Sequence, residues 1–260
     1  MTLDYKKLGI INTIAFVIMI FINAMANIIP LNKVRTGDVA IIYKNQFTPA
    51  KITFGIWGII YLALGLFIMY QLGIIKHSKP KRVLDNIGVL FIITCILNSL
   101  WIIAWHYEKI GLTLVIMLLL LGSLIGIYLK LNSYGFIENR MEKYFVMLPF
   151  SIYAGWITIA TIANITVFIV SLGIKVSLFT ANIWLVIMLM VGGMLAVEMI
   201  RKYGDIPYAL VVIWAYIGII IRWTSEELKP NYVAIVGASI IIGMILSNIK
   251  VFHTIKKKNR

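Results

Sequence analysis

Along this chain, apolar residues run for about twenty positions at a time without a charge, and the polar residues collect in the stretches between the runs. The runs cover residues 8–30, 52–75, 86–107, 110–129, 144–171, 176–197, 206–221 and 231–249. A hydrocarbon layer of ~30 Å needs about 20 helical residues at 1.5 Å each. The pattern therefore predicts an all-α fold, a polytopic integral membrane bundle of about eight transmembrane helices. The seventh run is the shortest and carries Pro207 in its first turn, where a missing N–H leaves no helical bond unmade. No small-residue cleavage site precedes Lys33, so the first run is read as a retained helix rather than a removed leader.

Composition agrees with this reading. Of 260 residues, 61% are hydrophobic and 13% charged, and the mean hydropathy is +0.95. That is too little charge to cover a soluble domain, and it excludes a disordered chain or a disulfide scaffold. Cys95 is the one cysteine, so no intramolecular disulfide forms and the residue reads as a small buried hydrophobe. The net charge of +14 is scattered between runs rather than gathered on a face, which points to the bilayer as partner and not to nucleic acid. Sixteen Lys and Arg fall on the side of the termini and eight on the other, which predicts a multi-pass protein of the cell membrane with both termini cytoplasmic. The basic tail Lys256, Lys257, Lys258 and Arg260 suits an anionic leaflet, at roughly 1 kcal/mol per charge.

Ionisable residues are missing from the interiors of the first five runs, which argues against ion-coupled transport. Glu198 and Arg222 stand at run ends, where long side chains snorkel to the interface. No P-loop, HExxH or CxxC pattern is present, and His77, His106 and His253 are far apart; no catalytic residue and no metal site is assigned. His106, between Trp105 and Tyr107 at a run end, reads as interfacial, with axial haem ligation as the lesser alternative. The connection over residues 31–51 is long for a bundle with otherwise tight links, and is either a lid or a surface segment.

What remains is uncharged polar and aromatic residues at helical spacing. Asn23 and Asn27 share a face, as do Trp57, Tyr61 and Gly65; Asn98, Trp101 and Trp105; and Trp156, Ala160 and Asn164. Amides and indoles need partners in hydrocarbon, so these stripes point into the bundle. Two readings stand: interhelical glue with interfacial tryptophan belts, or an aromatic-lined ligand cavity. Trp101 and Trp156 lie too deep for a belt, whereas Trp105 and Trp223 fit one. Gly122 and Gly126 make a GxxxG, a candidate packing or homodimer seam.

At these stripes the chain resembles the translocator protein family, also called tryptophan-rich sensory or TspO/MBR proteins, over roughly the first 170 residues. Phe47-Thr48-Pro49-Ala50, Phe54 and Trp57-x3-Tyr61-x3-Gly65 resemble one family element; Leu97-Asn98-x2-Trp101 is similar to a second; Trp156-x-Thr158-x-Ala160-Thr161-x2-Asn164 is similar to a third. Three elements in order make chance a poor explanation. There are departures: Ala50 stands for a second proline, the Phe54 to Trp57 spacing is one residue short, and Pro149 comes three residues early.

The resemblance implies a five-helix core, taken as residues 1–174, and says nothing of residues 175–260, whose apolar runs read as an added three-helix membrane extension. That extension either packs on the core or builds a second site from Trp184, Tyr208, Trp214 and Tyr216. The resemblance further implies a membrane-embedded binding protein or sensor for a hydrophobic planar small molecule, with no obligatory cofactor and porphyrin or haem, or a sterol-like molecule, as ligand. Trp57, Tyr61, Asn98, Trp101, Trp156, Ala160, Thr161 and Asn164 would line its site, with Asn23 and Asn27 beside them. Lys33, Arg35 and Lys44 in the lid have no family motif behind them; their charge suits a ligand's propionates. The alternatives are a small-molecule transporter and a non-catalytic membrane scaffold.

Overall fold

The structure is a computed structural model that describes residues 4–29, 31–43, 45–76, 78–133, 136–137, 139–174, 176–225 and 229–258. The chain is a polytopic all-α membrane protein. Its long helices are α1 (Tyr5–Ile28), α3 (Ile56–Gln71), α4 (Pro80–His106), α5 (Ile110–Leu131), α7 (Leu148–Ser171), α8 (Leu178–Tyr203), α9 (Ile206–Thr224) and α10 (Tyr232–Lys258). Two short helices join them: α2 (Thr36–Ile42) lies in the connection after α1, and α6 (Arg140–Glu142) leads into α7 through a π turn at Lys143–Met147. Among the described residues, eight segments are long and apolar enough to cross a membrane.

Several ends lie outside the charge-free runs, because a helix does not stop where hydrocarbon stops. α4 starts at Pro80, six residues before its run, with proline at the first helical position where it is pre-organised. Its added turn carries the Lys81–Asp85 pair at i,i+4. α10 continues past Ile249 to Lys258. Caps mark other ends: Asp4 accepts from the Lys6 N–H, Ser177 from Thr180 and Asp205 from Tyr208, each satisfying a donor the helix leaves open. The π turn stands directly before Pro149. A proline ring crowds the carbonyl four residues back and brings no N–H for it, so the ladder widens there.

α4 packs against α1 and α5, α5 against α7, and α3 against α7, while α8, α9 and α10 form a three-helix group applied to the core through α9 on α7. Little room separates α7 from α9 at Gly155: a Cβ there would sit 3.0 Å from the Tyr208 carbonyl oxygen and 3.2 Å from Val211. Polar side chains fasten the same seam. The buried Asp205 carboxylate accepts from the Tyr128 hydroxyl at 2.6 Å, from the Ser151 hydroxyl and from the Tyr208 N–H at 3.1 Å. Tyr208 in turn donates to Thr158 Oγ1 at 2.8 Å, and Trp184 to Thr166 Oγ1 at 3.1 Å. Tyr216 donates to the Leu189 carbonyl at 2.6 Å and Trp214 to that of Thr53 at 2.9 Å. The four aromatic residues weighed for a second site thus spend their polar groups on packing.

At the face of the termini, Glu142 is fully buried and pairs with Arg82 at 2.5 Å. Deeper in, Asn12 donates to Gln71 Oε1 at 2.9 Å, an amide contact between α1 and α3. Of the GxxxG pair, Gly126 faces Leu90 of α4, where a Cβ would lie 3.5 Å away, and Gly122 faces open space.

Candidate functional site

The ring-bearing stripes of α3, α4 and α7 meet near the end of the bundle opposite the termini. Trp57 opens α3 and is their centre: its ring centroid lies 5.5 Å from Tyr61, 6.3 Å from Trp101, 6.1 Å from Tyr153 and 6.2 Å from Trp156. Trp101 stacks on Trp105 at 5.4 Å, and Phe54 meets Trp156 edge-on at 5.9 Å. Offset and edge-on contacts of this kind suit rings whose faces and edges carry opposite partial charge. Helical spacing alone places Trp57 over Tyr61 and Trp101 over Trp105; meeting across helices is a product of packing.

Between these rings lies a cavity of about 40 Å³ lined by Trp57, Trp101, Trp105, Trp156, Phe54, Ala160, Ala163 and Asn164, with Ala40, Thr48 and Pro49 closing it from the 31–51 connection. Its walls are almost wholly apolar. Two of the lining residues carry an unmet donor: Trp101 Nε1 and Trp156 Nε1 are buried and have no hydrogen-bond partner among the described residues. An orphaned buried donor costs roughly 1–3 kcal/mol, so two of them on residues that line one cavity are uncommon. A drug-sized ligand needs at least about 300 Å³, several times the space between these rings.

Beside the chamber, and sharing Phe54 and Trp57 with it, is a polar vestibule of about 490 Å³ lined by Asn27, Arg35, Thr36, Gly37, Asp38, Lys51 and Gly55. The connection that covers both is an ordered element. Trp105 Nε1 donates to the Thr36 carbonyl at 3.0 Å, Asn32 to the His106 carbonyl at 3.0 Å, and Thr36 Oγ1 to Asn27 Oδ1 at 3.1 Å. Asn32 and Lys33 take left-handed φ values of 54° and 62°, a reversal that turns the chain from α1 back over the bundle. The Asp38–Lys51 pair at 2.5 Å closes the outer edge of the vestibule.

Not every residue singled out in the sequence reaches the chamber. Trp57, Trp101, Trp156, Ala160 and Asn164 line it, and Asn164 also accepts from Thr113 at 3.0 Å. Tyr61 stacks behind Trp57. Asn23 donates to Asn98 Oδ1 at 2.7 Å and Asn98 to the Tyr153 hydroxyl at 3.0 Å, a relay that ties α1, α4 and α7 together outside the lining. Thr161 bonds back to the Ile157 carbonyl of its own helix. Asn27 and Arg35 face the vestibule, Lys33 is exposed and belongs to neither space, and Lys44 lies outside the described residues.

Two residues given to the interface are interior ones. Trp105 is 3% exposed and lines the chamber, and His106 is fully buried with Nδ1 2.8 Å from the Ile102 carbonyl. Depth along a run misplaces them because α2 lies over the end of α4 and makes protein interior of what would be interface. Trp105 was legible in its i,i+4 spacing from Trp101. His106 does not line the chamber, so nothing in the geometry offers it as an axial ligand there.

The Lys51 ammonium bonded to Asp38 holds that carboxyl below its usual range, against a smaller opposing effect of burial. A depressed carboxyl stabilises the folded arrangement above its unfolded value of ~3.9 and loses that contribution as pH falls through the lower folded value. The pair is therefore kept at neutral pH and lost only as pH falls below the ordinary carboxylate range. Asp38→Asn is expected to raise amide exchange across Thr36–Ile42 a few-fold at pH 7, a modest change because both side chains are solvent-accessible. Exchange equal to that of the unsubstituted protein at pH 7 would show that the pair does not hold α2 in place.

A family model described as TSPO-like protein matches residues 9–247, and so runs through the last three helices as well as the first five. No curated protein and no solved structure matches the chain.

Proposed function

This chain belongs to the TSPO-like protein family, and on that footing we propose that its tryptophan chamber binds a flat, largely apolar small molecule inside the membrane, with a porphyrin as the first ligand to try. The observation that carries the proposal is an apolar cavity lined by four tryptophans, two of which, Trp101 and Trp156, hold a buried indole N–H without a partner. A ligand acceptor that meets either N–H recovers the cost of that donor, and the ligand's planar body stacks on Trp57 or Trp105. Entry needs the rings and the 31–51 connection to part, since the chamber is about 40 Å³.

Arg35 and Lys51 on the adjoining vestibule suit an acidic group at the ligand's edge, and Arg35 offers a planar fork for a carboxylate. Arg35→Gln is expected to weaken a porphyrin dicarboxylic acid several-fold and to leave its dimethyl ester unchanged. Equal effects on acid and ester would detach the vestibule from ligand recognition.

The test of the chamber is a titration of the protein in lipid nanodiscs with protoporphyrin IX, followed by tryptophan fluorescence against empty discs. Saturable quenching is expected, weakened about tenfold or more in folded Trp101→Ala and Trp156→Ala variants. Quenching that is unsaturable, or the same in every variant, would leave these indoles as packing elements.

A further inference from the structure

The wall of the chamber formed by Thr48 and Pro49 is held from outside the five-helix core. The Arg222 guanidinium on α9 donates to the Thr48 carbonyl at 2.7 Å, and Trp223 Nε1 donates to that of Gln46 at 3.0 Å. One turn earlier on the same helix, the Gly218 carbonyl accepts from the Ala50 N–H at 2.9 Å. Trp214 caps the series by donating to the Thr53 carbonyl at 2.9 Å, and Asn231 at the start of α10 donates to Gln46 Oε1 at 2.9 Å. Residues 46–50 lie between α2 and the 3-10 turn at Lys51–Gly55, so the Gln46 and Thr48 carbonyls have no helical ladder to satisfy them.

Gly218 shows how close the two run. A Cβ at that position would lie 2.9 Å from Thr53 Cβ and closer still to its Oγ1, so the absence of a side chain is what allows the segment to lie against the helix. Phe47 is seated edge-on against Tyr216 of α9, with centroids 6.5 Å apart, and is 1% exposed. Arg222 stands at the end of a membrane span, where snorkelling to water is the default for its side chain. It turns inward instead and spends a donor on one backbone carbonyl.

We propose that Arg222 and Gly218 are positioning residues for the ligand chamber: α9 holds segment 46–53 as its wall, so the last three helices complete the site that the first five begin. This rests on the chamber reading above and deepens it. Pre-organisation is the physical effect, because a wall that must be ordered on binding costs affinity that a held wall does not. Ligand entry, which has to widen the chamber, then works against α9 and not against a free loop.

The experiment uses the full chain in nanodiscs with three variants. Arg222→Met keeps the length and removes the donors, Arg222→Lys keeps a charge and a donor, and Gly218→Ala pushes on Thr53. Amide exchange of residues 46–53 is read without ligand, and protoporphyrin IX affinity by fluorescence. Arg222→Met and Gly218→Ala are expected to speed exchange in that segment about tenfold and to weaken affinity by a similar factor, with Arg222→Lys recovering much of both. Alanine is the better helix former, so a Gly218→Ala protein that melts higher and binds normally would overturn the proposal. Unchanged exchange in Arg222→Met, or faster exchange with unchanged affinity, would also overturn it. If the unsubstituted protein binds no porphyrin, the chamber reading fails and this one with it, and altered exchange then marks a purely structural clamp.

Discussion

Trp57→Ala is expected to abolish saturable ligand quenching and to destabilise the folded protein by about 3 kcal/mol or more. Its ring touches four other aromatic rings from three helices, and aromatic pairs contribute ~0.5–1.5 kcal/mol each beyond their burial. In hydrocarbon, apolar transfer gives no driving force between helices, so packing of this kind is what holds α3 to α4 and α7. Removing the indole enlarges the chamber but takes away the surface shared by chamber and vestibule. Trp57→Phe keeps a ring and is expected to retain most stability with weaker binding. Thermal unfolding in nanodiscs, paired with the porphyrin titration, checks both numbers. An alanine variant that binds as the unsubstituted protein does would show that the ligand sits elsewhere.

The second large effect is expected far from the chamber. Asp205→Ala removes the acceptor of three donors at the α7–α9 seam, the Tyr128 and Ser151 hydroxyls and the Tyr208 N–H. The lost helix cap costs about 1 kcal/mol, and each hydroxyl left buried without a partner adds ~1 kcal/mol or more, so a loss of ~3–5 kcal/mol is expected. Asp205→Asn keeps the cap and one good acceptor, and is expected to lose less than half as much. Because α8, α9 and α10 meet the core mainly through α9, the alanine variant should let the last three helices separate first. Exchange in α9 rising ahead of exchange in α4 would report this. A change below about 0.5 kcal/mol would mean that the carboxylate is not what fastens the seam.

Periodicity made the helices legible, together with one face of each. The stripe Asn98, Trp101 and Trp105 is a single surface of α4, and all three side chains point inward. What they meet there differs: Asn98 enters a relay between Asn23 and Tyr153, whereas Trp101 and Trp105 turn to the cavity. Spacing along one helix carries no information about the facing helix, so glue and lining look alike until both are placed. The 31–51 connection illustrates the same limit. Its mixed polar residues are compatible with a lid or a surface segment, and only contacts distant in sequence, such as Trp105 to Thr36 and Arg222 to Thr48, lay it over the bundle.

By itself, the order of residues determined that the chain is a membrane bundle of eight spans, because hydrocarbon thickness and the need to satisfy every backbone group leave a charge-free run of this length no other structure. It also determined which residues share one face of each helix, through the 3.6-residue repeat. The tertiary structure decided which of those residues surround empty space, which end of α4 is interior, and that the last three helices grip the wall of the chamber. These are matters of how close one helix comes to another. That distance is set at places such as Gly155 and Gly218, where a missing Cβ lets backbones meet, and a glycine shows its purpose only once its neighbour is known.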